Sequence, residues 1–195
     1  MKKHSTRDLI ANSTLDLLQT KRIDEFNVMD IVNNCGVSKR SFYNHFKDKY
    51  DVCNYIYDSV LDNYCWYVDG KLQSLSQFFE RAYVVFNSED KKIRNFLNHT
   101  ICYQGQNCMQ DYVATRGVSD IVNLLRNGGR EDLITHENLF LMEFFMRGMM
   151  GMTISVSNGR ARNDIYDNYV DWSKYLPKEL YDALIKESEK NQNEE

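Results

Sequence analysis

Proline occurs once and glycine nine times in the 195 residues. Folds built of many short strands draw heavily on these two residues for turns, so their scarcity argues against an all-β architecture and favours long helices. The chain does not open with a basic start, an apolar run and a small-residue cleavage site, and we read it as lacking a secretory signal. Its five cysteines are an odd number without the spacing of a disulfide framework, which fits a reducing, cytoplasmic setting. Patterns of enzyme chemistry are also missing. There is no Ser/His/Asp arrangement, no glycine-rich phosphate loop and no carboxylate pair assignable to a cleft, so the expectation is a non-enzyme. His99, Cys102 and Cys108 come nearest to a metal set, but Cys108 lies past the break expected at Gly105 and no paired motif completes it. No metal and no cofactor is expected. What the chain does have is 43% hydrophobic residues, enough for a sizeable core, and this excludes disorder over most of its length.

Charge is distributed unevenly. Residues 1–50 carry nine Lys/Arg and six Asp/Glu, a net of +3, whereas the remainder carries -7. A basic first quarter on an acidic body suggests a head that binds a polyanion and a body with other duties.

The spacing of apolar residues is helical throughout. Ile10, Thr14, Leu17 and Leu18 predict a first helix over about 5–20, ended by Lys21 and Arg22, cations suited to the negative end of a helix dipole. Asn27, with Asp30 three residues on, has the form of a capping box and predicts a second helix on Val28, Ile31 and Val32. Gly36 breaks it by supplying a left-handed residue. Ser38 caps a third helix over 39–46, where Val37 and Phe42 stand as a hydrophobic staple. Asp48 caps a fourth helix, expected to run to about Gly70. Further helices are expected near 75–87, 89–104, 107–127, 136–157, 162–175 and 177–190. The expected fold class is all-α, with a three-helix helix-turn-helix domain over 1–50 and a helical domain over 51–195.

Two short helices joined by a three-residue turn containing glycine make a helix-turn-helix, whose second helix enters the major groove. Within 39–46, Phe42 and Phe46 are four apart and share the inward side. Lys39 and Tyr43 share another side, as do Arg40 and Asn44. Lys and Arg can hydrogen-bond guanine O6 and N7, and Asn can pair with adenine N6 and N7. Ser38, Ser41, Tyr43 and His45 can reach phosphate oxygens, and backbone N–H groups at the helix start favour an anion. Lys47 and Lys49 extend the positive patch. A plain amphipathic helical hairpin shares the two-helix pattern; the basic, polar outward face separates the readings.

Residues 6–57 resemble the N-terminal domain of TetR-family transcriptional regulators. The resemblance rests on the run Val28-x-Asp30-Ile31-Val32-x-x-Cys35-Gly36-Val37-Ser38-Lys39-Arg40-Ser41-Phe42-Tyr43-x-His45-Phe46-Lys47-Asp48-Lys49. The run from Phe46 to Val52 is further similar to the branch that includes activators of dihydroxyacetone kinase operons. The resemblance implies that Asn27, where the family usually has Thr, caps the second helix and touches phosphate. It implies backbone contacts for Ser41, Tyr43 and Lys49, and sequence choice by Lys39, Arg40 and Asn44. Arg40 replaces a residue that is commonly small, so no operator sequence can be borrowed. The resemblance also implies a homodimer on a pseudo-palindromic duplex, acting as a repressor released by a small-molecule effector. An alternative is an activator or co-regulator whose body binds a protein partner.

In the body, the run Leu139 to Val156 is the most apolar and nearly as long as a membrane span. Glu143 and Arg147 lie inside it, four apart, so we expect a helix buried on several sides rather than a membrane helix. One side would meet its own core and another a second subunit, with Met146, Gly148, Met149, Met150 and Gly151 at the interface. For an effector, Trp66, Phe96, Tyr103, Tyr112 and Phe145 are the candidate lining, although such residues also commonly fill cores.

Overall fold

A computed structural model describes residues 5–68, 71–86, 90–102, 109–157 and 175–186. The fold is all-α. Helices α1 (Thr6–Leu17), α2 (Val28–Cys35), α3 (Lys39–Tyr43) and α4 (Lys49–Val60) come first. They are followed by α5 (Leu75–Phe86), α6 (Lys91–His99), α7 (Gln110–Asn127), α8 (His136–Ser157) and α9 (Lys178–Tyr181). A π-helical turn, Leu61–Trp66, follows α4, and two-residue strands, Tyr67–Val68 and Lys71–Leu72, pair antiparallel behind it.

Several expected helices are shorter in the structure: the first ends at Leu17, the one expected at 89–104 is Lys91–His99, and the last is Lys178–Tyr181 followed by a π turn over Asp182–Lys186. The third stops at Tyr43 rather than 46, because the Asn44 and His45 amides turn back on Arg40 and Phe42 and the chain must then reach the Asp48 cap. The fourth stops at Val60 rather than near Gly70, where the ladder widens into the π turn and the Gln73 amide closes on the Trp66 carbonyl. The helix expected at 162–175 lies outside the described residues, Tyr175 excepted.

The chain divides into two compact units, each made of two stretches. The first is Met1–Leu61 with Phe86–Met109, and the second is Asp62–Val85 with Gln110–Glu195. In the first, Ile10, Leu18, Ile31, Phe42, Phe46 and Val52 are buried. Fully burying such side chains contributes roughly 1.5–3 kcal/mol each. A polar tie joins α1 to α2: the buried Ser13 hydroxyl donates to the Ile31 carbonyl at 2.8 Å and accepts from the Asn34 amide at 3.1 Å. Helix α6 grips the end of α1 with one face. Lys92 pairs with Asp16 at 3.4 Å, the Asn95 amide donates to the Gln19 carbonyl at 3.2 Å, and His99 Nδ1 donates to the Leu18 carbonyl at 2.7 Å. These bonds satisfy carbonyls that a helix end leaves open. Residues 51–61, placed by sequence with the body, thus pack in the same compact unit as α1–α3.

In the second unit, α7 and α8 pack closely at Gly117, where a Cβ would run into the Met146 side chain. The rings of Trp66, Phe78, Phe79 and Phe145 form a chain, Trp66 stacking on Phe78 at 4.1 Å between centroids. Arg116 on α7 binds Asp62 and Asp120, both at 2.9 Å, and Asp120 also accepts the Trp66 indole N–H at 3.0 Å. Burial pushes the Asp120 carboxyl above its usual range, and Arg116 and Trp66 oppose this incompletely. Cys53, Cys65 and Cys102 are buried as small core residues: burial raises the Cys53 thiol, and Cys65 is pushed up to about 12. Among the described residues, no helix is long and apolar enough to cross a membrane.

The raised Asp120 fixes a sign. Between the ordinary carboxyl range and its folded value the native state holds the extra proton, so ionisation costs stability as pH rises through that interval. Asp120→Asn removes the titration and leaves an acceptor for Trp66, whereas Asp120→Ala strands the indole and takes one of its two carboxylates from Arg116. Urea denaturation is expected to show Asn gaining on wild type from pH 4 to pH 7, and Ala as the less stable variant at both. An Asn variant that loses ground as pH rises would contradict this.

Candidate nucleic-acid interface

The helix-turn-helix is assembled from local capping. Asn27 Oδ1 accepts from the Met29 and Asp30 amides at 2.8 and 3.3 Å, and Asp30 returns the bond by accepting the Asn27 N–H at 2.8 Å. Asn27 is exposed, and its side-chain NH2 is chemically able to donate to a further acceptor. Helix α2 ends at Gly36, which adopts φ +69°, so the turn needs a residue without a Cβ penalty. Ser38 Oγ then accepts the Ser41 N–H at 3.1 Å and starts α3.

Rotation of α3 is set by Phe42 and Phe46, at 0% and 2% exposure. With these inward, Ser38, Lys39, Arg40, Tyr43, Asn44 and His45 are exposed, and Ser41 is half-buried. Among the described residues, neither Lys39 nor Arg40 pairs with a carboxylate. The structure thus brings these predicted residues to one surface, with Asn27 capping the preceding helix. Two cations, an amide, a phenol and hydroxyls on one short helix supply the donors for base edges and phosphates. At the start of α4, Asp48 accepts from the Tyr50 and Asp51 amides, both at 2.9 Å, while Asp51 accepts the exposed Lys47's amide.

Lys49 is placed differently from the other cations. Its ammonium donates to the Phe26 carbonyl at 2.6 Å and lies over the rings of Phe26 and Tyr50. Partial burial holds its pKa below the usual lysine range, although Asp24, Asp30 and Asp48 favour the charged form. Sequence reasoning also missed Arg7. Its guanidinium lies 4.3 Å from the Tyr55 ring centroid and 5.2 Å from that of Phe46, while the Tyr55 hydroxyl donates to Asp8 at 3.0 Å. These partners lie on distant stretches of chain, and no local spacing announces them.

The body residues singled out by sequence do not converge as a group. Phe96 is buried in the first unit, whereas Trp66, Tyr112 and Phe145 belong to the second. Tyr103 lies outside the described residues. Trp66 and Phe145 are connected through Phe78 and Phe79, two rings sequence reasoning passed over. On α8, Met146 points inward against Gly117, and Met149 and Met150 are half-buried. Gly148 and Gly151 are exposed, with open space where a Cβ would stand. Phe140, Phe144 and Met152 are exposed on α8 as well, the two rings at 65% and 71%. Among the described residues, no three His, Cys, Asp or Glu side chains gather for a metal ion.

Residues 10–56 match the family described as bacterial regulatory proteins, tetR family. No curated protein matches the chain.

The left-handed Gly36 gives a direct check on the turn. Gly36→Ala is expected to cost about 1 kcal/mol in chemical denaturation, because an alanine in that conformation is strained though space is open around it. Gly36→Asn should cost less. Equal stability of all three would mean that the turn does not need this backbone conformation.

Proposed function

We propose that the chain is a DNA-binding transcriptional regulator, because residues 10–56 match the tetR family, and that it acts as a homodimer on a pseudo-palindromic duplex in the cytoplasm. The carrying observation is the outward row on α3, exposed while Phe42 and Phe46 anchor the opposite side. Lys39, Arg40 and Asn44 read bases. Asn27, Ser38, Ser41, Tyr43 and His45 hold the phosphate backbone. One helix of this length spans few base pairs, so a specific site requires two heads set about one turn of duplex apart, roughly 34–36 Å.

The second copy docks on α8. Phe140, Phe144 and Met152 are large apolar side chains left in solvent, and Gly148 and Gly151 beside them let another backbone come close. Paired about a two-fold axis near Gly148, an antiparallel copy would set Phe144 against Met152 of the other α8, a self-complementary match. This shifts the proposed interface from Met146 to the phenylalanine stripe, with Met149 and Met150 at its margin. We further propose that the chain is a repressor released by a small apolar or aromatic effector. Its proposed lining is Trp66, Tyr112 and Phe145, all in the second unit, where Trp66 and Phe145 are linked through the rings of Phe78 and Phe79. In the functional division we propose, residues 1–50 read DNA and 51–195 dimerise and respond.

Two measurements test these roles. On a duplex selected by the wild-type protein, Arg40→Ala and Asn44→Ala should each cost about 1–3 kcal/mol and broaden sequence preference, with little loss on random duplex. Equal losses on both duplexes would remove that side chain from base readout. In sedimentation equilibrium, Phe144→Glu should yield monomers of unchanged helical content that bind the selected duplex at least tenfold more weakly. A variant that stays dimeric would place the interface elsewhere.

A further inference from the structure

The helix-turn-helix is a loop of chain whose two ends are joined by a charged side chain, Lys49. Phe26 immediately precedes the Asn27 cap of α2, and Lys49 is the first residue of α4. The bond from Lys49 Nζ to the Phe26 carbonyl is 2.6 Å long and spans 23 residues of sequence. Between its ends lie α2, the Gly36 turn and α3. The Phe26 carbonyl belongs to no helical ladder because the residue is extended, at φ -139° and ψ 164°.

We propose that Lys49 is a positioning residue, a latch across the base of the helix-turn-helix that sets how α2 and α3 are presented to DNA, rather than a side chain that grips phosphate. Three observations support this. The ammonium is partly buried and flanked by the Phe26 and Tyr50 rings at 5.6 and 5.4 Å, so reaching outward would sacrifice both ring contacts and a charge-assisted bond. Asp24, Asp30 and Asp48 all favour its charged form, and the negative field they impose would repel a phosphate. Lys39, Arg40 and Lys47 already supply exposed cations in the same head. The latch acts through Asn27 and the first turn of α2 at one end and through the Asp48 cap at the other. Phe46, two residues before that cap, carries the buried end of the recognition segment.

Phosphate contact and positioning differ in their salt signature. Each phosphate neutralised contributes about 0.9 to the slope of log K against log salt, and a latch contributes none. The test titrates Lys49→Met and Lys49→Arg against two duplexes of about 20 base pairs, one selected by the wild-type protein and one random, over a range of salt. Thermal melts are run alongside. Expected for Met is a loss of tenfold or more on the selected duplex, under threefold on random duplex, and an unchanged slope on both. Arg, which keeps a donor for the carbonyl, should bind the selected duplex within about threefold of wild type. Similar losses on both duplexes with a slope lower by about 0.9 would establish a phosphate contact and overturn the latch. A lower melting temperature with both affinities unchanged would show a brace of no consequence for DNA, and also overturn it.

Should the Met variant fail to fold, the Lys49 ammonium resonance of the wild-type protein serves instead. It should be slow to exchange and unmoved when random duplex is added; displacement on DNA would refute the proposal. The inference rests on the DNA-binding role of the head. Wild-type protein that bound no duplex at low salt would overturn that role itself, an outcome distinct from any behaviour of the variants.

Discussion

The burial of Phe42 and Phe46 is the constraint from which the exposed polar face of α3 follows. A helix of five residues has no stability of its own, since the cost of nucleating it exceeds what so few hydrogen bonds return. Helix α3 exists because Ser38 caps it and because two rings four residues apart reach the core of α1, α2 and α4. Once those rings are seated the helix has no remaining freedom of rotation. Lys39, Arg40, Tyr43 and Asn44 are turned outward by exclusion, so the apolar side determines what the polar side can touch.

The parts of this arrangement legible in the sequence are those governed by neighbours within about four residues. Asn27 with Asp30, Gly36, Ser38 and Asp48 each announce a helix end through a side chain that can reach a nearby amide, and the structure has every one of those bonds or conformations. The limits of α8 are likewise as expected, 136–157. What was not legible depends on partners far along the chain. Arg7 over Tyr55, and Lys49 on Phe26, carry no periodic signature. The π turn at Leu61–Trp66 is another case, for its two ends are held by Arg116 and Asp120 on α7.

Helix α8 shows a different kind of limit. A helix apolar all round has no phase that periodicity could reveal, so its composition could not say which residues face α7. Only the close approach at Gly117 settles it, by drawing Met146 inward and leaving Phe140 and Phe144 outside. Methionine is soft and adaptable, and Met146 fills the space that Gly117 opens.

The first compact unit is completed by α6, a helix that the chain reaches only after passing through Asp62–Val85. Its His99 and Asn95 close the end of α1, and Phe96 is buried in the same unit. Such a head is not a cassette. Severing the polypeptide behind Leu61 would leave the carbonyl of Leu18 without its imidazole donor and a ring-sized hole where Phe96 had been. A graft of this reader onto another protein must therefore carry Phe86–Met109 with it, and the linear border of the homology is narrower than the object that folds.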